Sequence, residues 1–387
     1  MKYHIKTLIV TCAACVVPIA QSADTVAEAL KASTVKGKLN LRYEDVNNND
    51  DSSDQLSLSS RITVTSADYK GWSATLGLED VRDVLGIDDE GGLIADPETS
   101  EVDQAYFQYK NDNLTAKIGR QVITYDNHRF VGHVAWRQDQ QTFDGATISW
   151  KANDNLKVDG AYVVKRNRIF AEDGDFDSND FYLNANYNFG ASSLVGYSYL
   201  LDNDDLDIQS NTFGLRYAGK SGGNIQFLYT AEYAIQSSEQ GEGDFDTDYF
   251  LLEAGVTFKG ITAKLGFESL GSDDGEASFV TPLSTLHAHN GWSDVLLGGQ
   301  VFPENIPSGL EDTYISLATN IKGFGLSAIY HDFSLQEGSG DHGSEVNFQV
   351  TRSLGGGFSA AVKYADFSSD SALPDRDILW TWVSYSF

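Results

Sequence analysis

From Val35 to the C-terminus apolar and polar residues alternate, and this period of two constrains the fold more than any other feature. Successive side chains of an extended strand point to opposite faces, so the pattern makes one apolar face and one polar face. In Val35–Tyr43 the apolar set is Val35, Gly37, Leu39, Leu41 and Tyr43, set against Lys36, Lys38, Asn40 and Arg42. The same reading separates Phe181, Leu183, Ala185, Tyr187 and Phe189 from Tyr182, Asn184, Asn186 and Asn188. It also separates Ile261, Ala263, Leu265 and Phe267 from Thr262, Lys264, Gly266 and Glu268. With 36 Gly but only 6 Pro and 1 Met, composition agrees with strands joined by Gly and Asn/Asp turns.

A water-soluble sandwich alternates as well, so the connections have to decide between the two. Val46–Gln55, Val84–Glu101 and Ile123–Gly145 read as long; Ala67–Gly71, Asn111–Asn113 and Ala152–Asn155 read as tight. Gly219–Gly223, Lys259–Gly260, Lys322–Gly323 and Arg352–Gly357 continue the tight series, each leading into a strand and a longer, mostly acidic loop. Short turns on one side and long loops on the other mark a membrane barrel. The expected fold is therefore all-β: a transmembrane, antiparallel, up-and-down β-barrel of eighteen strands over residues 35–387, with sixteen as the alternative count. Tyr43, Trp72, Tyr109, Trp150, Phe189, Tyr217 and Phe258 near strand ends suit interfacial girdles. A barrel this wide leaves an aqueous channel unless a loop narrows it.

The ends of the chain agree. Lys2, His4 and Lys6, an apolar run from Thr7 to Ala20 and then small residues form a secretory signal peptide, residues 1–23, followed by a short periplasmic lead-in, residues 24–34. Cys12 and Cys15 both fall inside it, which removes disulfides and thiolate metal sites from the mature chain. The last strand, Leu379–Phe387, stops on an aromatic residue, as does the signal read by the barrel-assembly machinery. The expected location is the outer membrane of a Gram-negative bacterium. The expected partners are membrane lipid, lipopolysaccharide, the assembly machinery through the strand ending at Phe387, and small polar solutes.

The formal charge of −29 becomes −31 once Lys2 and Lys6 leave with the signal peptide, which excludes a nucleic-acid binder by sign. Asp173-x-Asp175-x-Asp177 and Asp244-x-Asp246-x-Asp248 have calcium-loop spacing but lack the glycine and closing glutamate, and read as solvated loops. No metal and no cofactor is expected.

One long connection differs from the rest. Between Ile118 and Ala146 it is mixed in charge and carries Phe130, Trp136 and Phe143, anchors that a solvent loop does not need. A loop folded into the lumen does need them, because it packs on the wall while showing polar groups to the pore. Arg120, Gln121, Asp126, Arg129, Arg137, Gln138 and Asp144 are the expected constriction residues. Lys36, Lys38, Arg42, Arg61, Lys117, Lys157, Arg216 and Lys264, with Lys363, are expected to face the lumen, opposed by Glu79, Asp159, Glu232, Glu253, Glu268 and Glu345.

Gly119-Arg120-Gln121, Arg129-Phe130-Val131-Gly132, Trp136-Arg137-Gln138 and Thr142-Phe143-Asp144-Gly145-Ala146 resemble the alginate export porins of outer membranes. A second block, Phe279 to Asp294 with Gly309-Leu310-Glu311-Asp312 beyond it, resembles members of that family described as general porins. The resemblance implies an eighteen-stranded barrel passing polar or anionic solutes. The mixed lumen fits passive diffusion of small polar or ionic solutes better than a secretion pore for an anionic exopolysaccharide such as alginate, which needs a strongly basic duct. An outer-membrane hydrolase is the rival of another class. His128 near Asp126, and His331 beside Asp332, are its candidates, but no nucleophile motif accompanies them, and the chain reads as no enzyme.

Overall fold

The computed structural model describes residues 23–49, 51–89, 91–241 and 243–387; the signal peptide, save its last residue, lies outside the described residues. The lead-in holds one helical turn and a half, α1 (Val26–Lys31), opened by a capping box in which Glu28 N donates to Thr25 Oγ1 and Thr25 N to Glu28 Oε2. It is tied to the first tight turn by the bond from Ala67 N to Ala29 O.

The strands follow in chain order: β1 (Thr34–Asn48), β2 (Ser52–Thr65), β3 (Trp72–Asp83), β4 (Thr99–Lys110), β5 (Leu114–Gln121), β6 (Thr142–Lys151), β7 (Leu156–Asn167), β8 (Phe176–Phe189), β9 (Ser192–Asn203) and β10 (Ile208–Gly222). Then come β11 (Ile225–Gln240), β12 (Gly243–Phe258), β13 (Ile261–Leu270), the two-residue strands β14 (Ser272–Asp273) and β15 (Ala277–Ser278), and β16 (Leu310–Ile321). The chain closes with β17 (Phe324–Ser334), β18 (Asp341–Gly355), β19 (Phe358–Ser369) and β20 (Arg376–Ser386). A five-residue helix, α2 (Leu297–Val301), sits between β15 and β16.

Eighteen of these strands, all but β14 and β15, form one antiparallel sheet in which each pairs with its neighbours in the chain. The sheet closes where β1 meets β20, from Lys38 opposite Ser386 to Asn48 opposite Arg376. Gly37 and Phe387 exchange two backbone bonds at the seam, 2.9 and 3.0 Å. Closure leaves no free sheet edge, which the hydrocarbon core of a bilayer would not tolerate.

The alternation read from the sequence becomes the two sides of the wall. Leu39, Leu41, Ile62, Val64, Leu76, Ile118, Ile148, Phe181, Leu215, Leu252, Leu265 and Leu317 all point outward and are exposed. This outward belt is what lipid solvates. Trp72 stacks near Tyr109, and Phe189 near Tyr217, as parts of the girdle at the tight-turn end.

One expectation about the connections fails. Val46–Gln55 is no long loop: β1 and β2 run on to Asn47 opposite Ser52, and Asn48 N closes the hairpin on Asp51 O. The polar run disguised the strands because their inward face is polar. Ser53, Gln55, Ser57 and Ser59 are buried while Leu56 and Leu58 take the other side.

Candidate functional site

Besides the connection at 84–98, which brings buried Asp96 to Arg42 and Gln138, two long connections do not stay outside the barrel. The first inner loop, residues 122–141, joins β5 to β6; the second, residues 271–309, joins β13 to β16. Both carry apolar anchors that fasten them to the lumen. Phe130 of the first loop packs against Tyr197 and Tyr249 of the wall and Phe279 of the second loop, with centroids 5.0, 5.3 and 6.0 Å away. Phe279, Val280, Thr281 and Leu283 of the second loop are fully buried, and Gln236 of β11 pins Val280 through two 2.9 Å bonds.

The loops are also bonded to each other. Val131 and Leu283 form a parallel bridge; Gly132 N donates to Leu283 O at 2.7 Å and Thr285 N to His128 O at 2.9 Å. The approach needs glycine at position 132, where a Cβ would lie 2.8 Å from Thr285 N and run into the Thr285 hydroxyl. At the centre of this junction Arg129 is fully buried. Its Nε donates to Glu268 Oε1 at 2.7 Å, its Nη1 to Gln300 Oε1 at 2.8 Å and Thr281 Oγ1 at 3.2 Å, and its Nη2 to Asn290 Oδ1 at 3.0 Å. Burial works most strongly against its charge, but Glu268 and Tyr249 together outweigh it and hold the guanidinium pKa above its ordinary value.

A second ionic junction lies beside Trp136. Arg137 Nη1 donates to both oxygens of Glu44 at 3.0 and 3.1 Å, and Nη2 to Asp294 Oδ2 at 3.2 Å. Arg42 of β1 is bonded to Asp96 and to Trp136 O. Gln138 Nε2 donates to Ser57 Oγ at 2.8 Å, and its backbone N to Asp96 Oδ1 at 2.8 Å. His287 Nδ1 faces Asp294 Oδ1 at 2.9 Å, and burial above all holds its pKa down to about 3, so the neutral ring donates to the carboxylate. Lys363 of β19 reaches His287 Nε2 at 2.6 Å and lies over the rings of Trp292 and Trp136, 3.7 and 4.1 Å from their centroids.

The residues expected at the constriction therefore divide. Arg129, Arg137 and Gln138 meet at the loop junctions. Asp126 lines the lumen beneath them and accepts from Asn184 Nδ2 at 2.7 Å; burial pushes its carboxyl up. Gln121 is buried in the wall at the end of β5, where it accepts from Thr147 Oγ1 at 2.8 Å. Arg120 and Asp144 are corrected: they pair with each other, at 2.8 and 3.1 Å, on the outward side of the wall. They share that side with Ile118 and Ala146 because β5 continues to Gln121 and β6 starts at Thr142, so strand parity governs both residues.

Lys36, Lys38, Arg42, Arg61, Lys117, Lys157, Arg216 and Lys264 occupy inward positions. Most meet a carboxylate there: Arg61 meets Glu79 and Asp103, Lys157 meets Asp159, Arg216 meets Glu232, and Lys264 meets Glu253. His331 pairs with Asp312 at 2.9 Å and leaves its neighbour Asp332 on the opposite face.

Sequence reasoning missed the second loop, with its Asp294, as a lumen element, and also missed Glu44 and Asp96, the carboxylates that hold the first loop. The signal was present: Phe279, Val280, Leu283, Leu286 and Trp292 anchor that connection as Phe130 and Trp136 anchor the first. Its segment from His287 to Asp294 lies between two cavities and lines both. A vestibule of about 330 Å³ on the long-loop side is lined by Trp136, Arg137, Arg168, Phe170, His287 and Asp294. A chamber of about 430 Å³ lies under Ala288–Trp292 against the walls of β10 to β17.

Residues 40–269 match the family model described as alginate export. None of the curated proteins matches the sequence. Among solved structures, OccAB4 of Acinetobacter baumannii is 14% identical with a TM-score of 0.73, over 92% of this chain and 98% of that one. OccK9 (OpdG) of Pseudomonas aeruginosa is 14% identical with a TM-score of 0.74, over 93% and 99%. Pseudomonas aeruginosa OpdK, solved with vanillate, is 13% identical with a TM-score of 0.73, over 92% and 99%. At these identities the likeness is one of fold.

Proposed function

The chain belongs to the alginate export family, and on that premise we propose that it is a passive outer-membrane channel for small polar or ionic solutes, constricted by its two inner loops. The observation that carries this reading is the meeting of both loops in the lumen, with small cavities rather than one wide duct on either side. Cavities of 300–1,000 Å³ suit small molecules. Arg129 and Arg137 hold the loops at the narrowest part, Asp126 and Gln138 fasten the first loop to Asn184 and Ser57 of the wall, and Gln121 ends the strand that leads into it. Among the described residues no carboxylate lies within salt-bridge distance of Arg168 or Arg376 in the vestibule, so small anions such as vanillate, the compound named with OpdK, are drawn there. Lipid and lipopolysaccharide solvate the outer belt, and Phe387, exposed at the end of the last strand, engages the assembly machinery.

Family membership favours a second reading, a secretion pore for an anionic polysaccharide. Against it, most lumen cations already face a carboxylate, which leaves little field to draw a polyanion. Reversal potentials of the purified protein in planar bilayers under a KCl gradient separate the two. A reversal potential near zero or a modest anion preference supports the small-solute channel; near-ideal anion selectivity overturns it in favour of polyanion export. Failure to conduct at all, with the protein inserted, removes both.

A further inference from the structure

The two inner loops leave the wall in the same way, and only one departure is covered. Each follows a short strand, β5 or β13, so the strand before it overhangs its partner at the long-loop end. β12 pairs with β13 only from Tyr249 onward, which leaves residues 243–248 without a partner on that side. There the start of the second loop fills the place: Gly271 N donates to Asp248 O at 2.7 Å, and Asp246 N to Asp273 Oδ2 of β14 at 3.0 Å. β4 pairs with β5 only from Ala105 onward, which leaves residues 99–104, about 20 Å of strand, without a partner. Among the described residues no backbone group bonds to this overhang on the β5 side. A side chain caps it instead, Arg120 Nη1 donating to Val102 O at 3.0 Å. From the lumen the first loop backs it, Gln140 Nε2 donating to Asp103 Oδ1 at 2.7 Å.

Outside this overhang lies a cleft of about 1200 Å³. Leu78, Val102, Ile118, Tyr162 and Val164 give it exposed apolar flanks. Register shifts at Gly77/Leu78, Asp144/Gly145 and Val163/Lys165 bend the wall around it. Its charges do not cancel. Arg120 takes Asp144 and Arg82 takes Asp80, while Glu101, 4.0 Å from the same Arg120, and the exposed Glu172 are in excess. Among the described residues no cation lies within ion-pair distance of Glu172. Unpaired strand, apolar flanks and surplus negative charge together suit an added strand that brings cations. We propose that the cleft docks an extended cationic peptide segment, lysine or arginine alternating with apolar residues, which lies along β4 as the start of the second loop lies along β12. A second copy of this chain, with its formal charge of −29, and the phosphates of lipopolysaccharide both bring the wrong sign. The site is on the outer wall and is independent of what the lumen carries.

The test uses the full mature chain in nanodiscs of uncharged phosphatidylcholine, with a short fluorescent peptide of alternating lysine and valine as the probe. Fluorescence anisotropy is expected to show saturable binding that empty nanodiscs lack. Replacing the lysines by glutamate removes the charge match, and replacing alternate valines by proline removes backbone donors; each is expected to weaken binding by about tenfold or more. Glu172→Lys reverses a surplus charge and is expected to weaken the lysine peptide about fivefold, with KCl conductance unchanged. Hydrogen exchange reads the same event without a variant: the amides of residues 99–104 should slow about tenfold when the peptide is present. No binding, equal binding of the glutamate or proline peptide, or unaltered exchange at 99–104 overturns the proposal. A dimer that displaces the peptide overturns it too, and gives the cleft to a second copy. None of these results touches the KCl current, so the channel reading stands or falls separately.

Discussion

Arg129 and Arg120 stand close together in the chain and on opposite sides of the wall. Arg129 is enclosed by Glu268, Thr281, Gln300 and Asn290 where the two inner loops meet. Arg120 forks onto Asp144 on the outside, ringed by the exposed Leu78, Val102, Ile118, Tyr162 and Val164. The chemistry of the two ion pairs is nearly the same. The inner pair joins loops far apart in the chain, beside only a few backbone bonds and the Phe130 packing, whereas the outer pair bridges two adjacent strands already joined along their whole ladder. The value of an ion pair here follows from what it connects.

The sharpest way to break that comparison is Arg129→Ala. It strands a buried Glu268, which costs about 3–5 kcal/mol, and the loops are expected to part; bilayer conductance should rise with more open-state noise, and the thermal unfolding midpoint in detergent should fall. Next in size is Gly132→Val, which forces the first loop off Thr285. Overpacking of this kind costs about 1–3 kcal/mol, and conductance should move in the same direction as for Arg129→Ala while the wall remains folded.

Asp139 of the first loop sharpens the comparison through pH. Burial first, then Glu101 and Glu79, push its carboxyl up to about 9, against about 4 for an unfolded chain. The folded loop therefore binds a proton that the unfolded one releases. That contribution is complete below pH ~4 and is lost as pH rises through ~9. Channel noise is expected to grow from pH 6 to pH 10, and Asp139→Asn, which cannot ionise, should flatten the profile; an unchanged slope in that variant would refute the assignment. The smallest effect belongs to Arg120→Gln. A partly exposed pair contributes about 1 kcal/mol, so a modest loss of thermal stability is expected with conductance and selectivity as before. A large conductance change would return Arg120 to the pore.

The misplacement of Arg120 and Asp144 has a local cause. Gly119-Arg120-Gln121 and Thr142-Phe143-Asp144 read as loop because charged residues interrupt the apolar face, yet both stretches are strand. Once the ladder runs through them, parity with Ile118 and Ala146 puts them outside. The hairpin at Asn47 and Ser52 was hidden for the same reason, since above the lipid belt neither face of a strand has to be apolar. Arg129, Arg137 and Gln138 lie where the first loop packs into the lumen, and the signal for that packing was Phe130 and Trp136, which have no place in a solvated loop. The equivalent anchors at Phe279 and Leu283 were as plain, and only their meaning was overlooked.

The sequence by itself determined the barrel, its even strand count, its antiparallel order and which side of most strands meets lipid, because each of these follows from a period of two repeated between turns; the structure settled the count at eighteen over the alternative sixteen. It also marked the first loop as inward, through residues that must be buried somewhere. Tertiary structure alone decided that a second loop meets the first, that Arg129 finds Glu268, and that the lumen divides into a vestibule and a chamber. Those pairings join residues more than a hundred positions apart, and a local pattern carries no term for a distance of that kind.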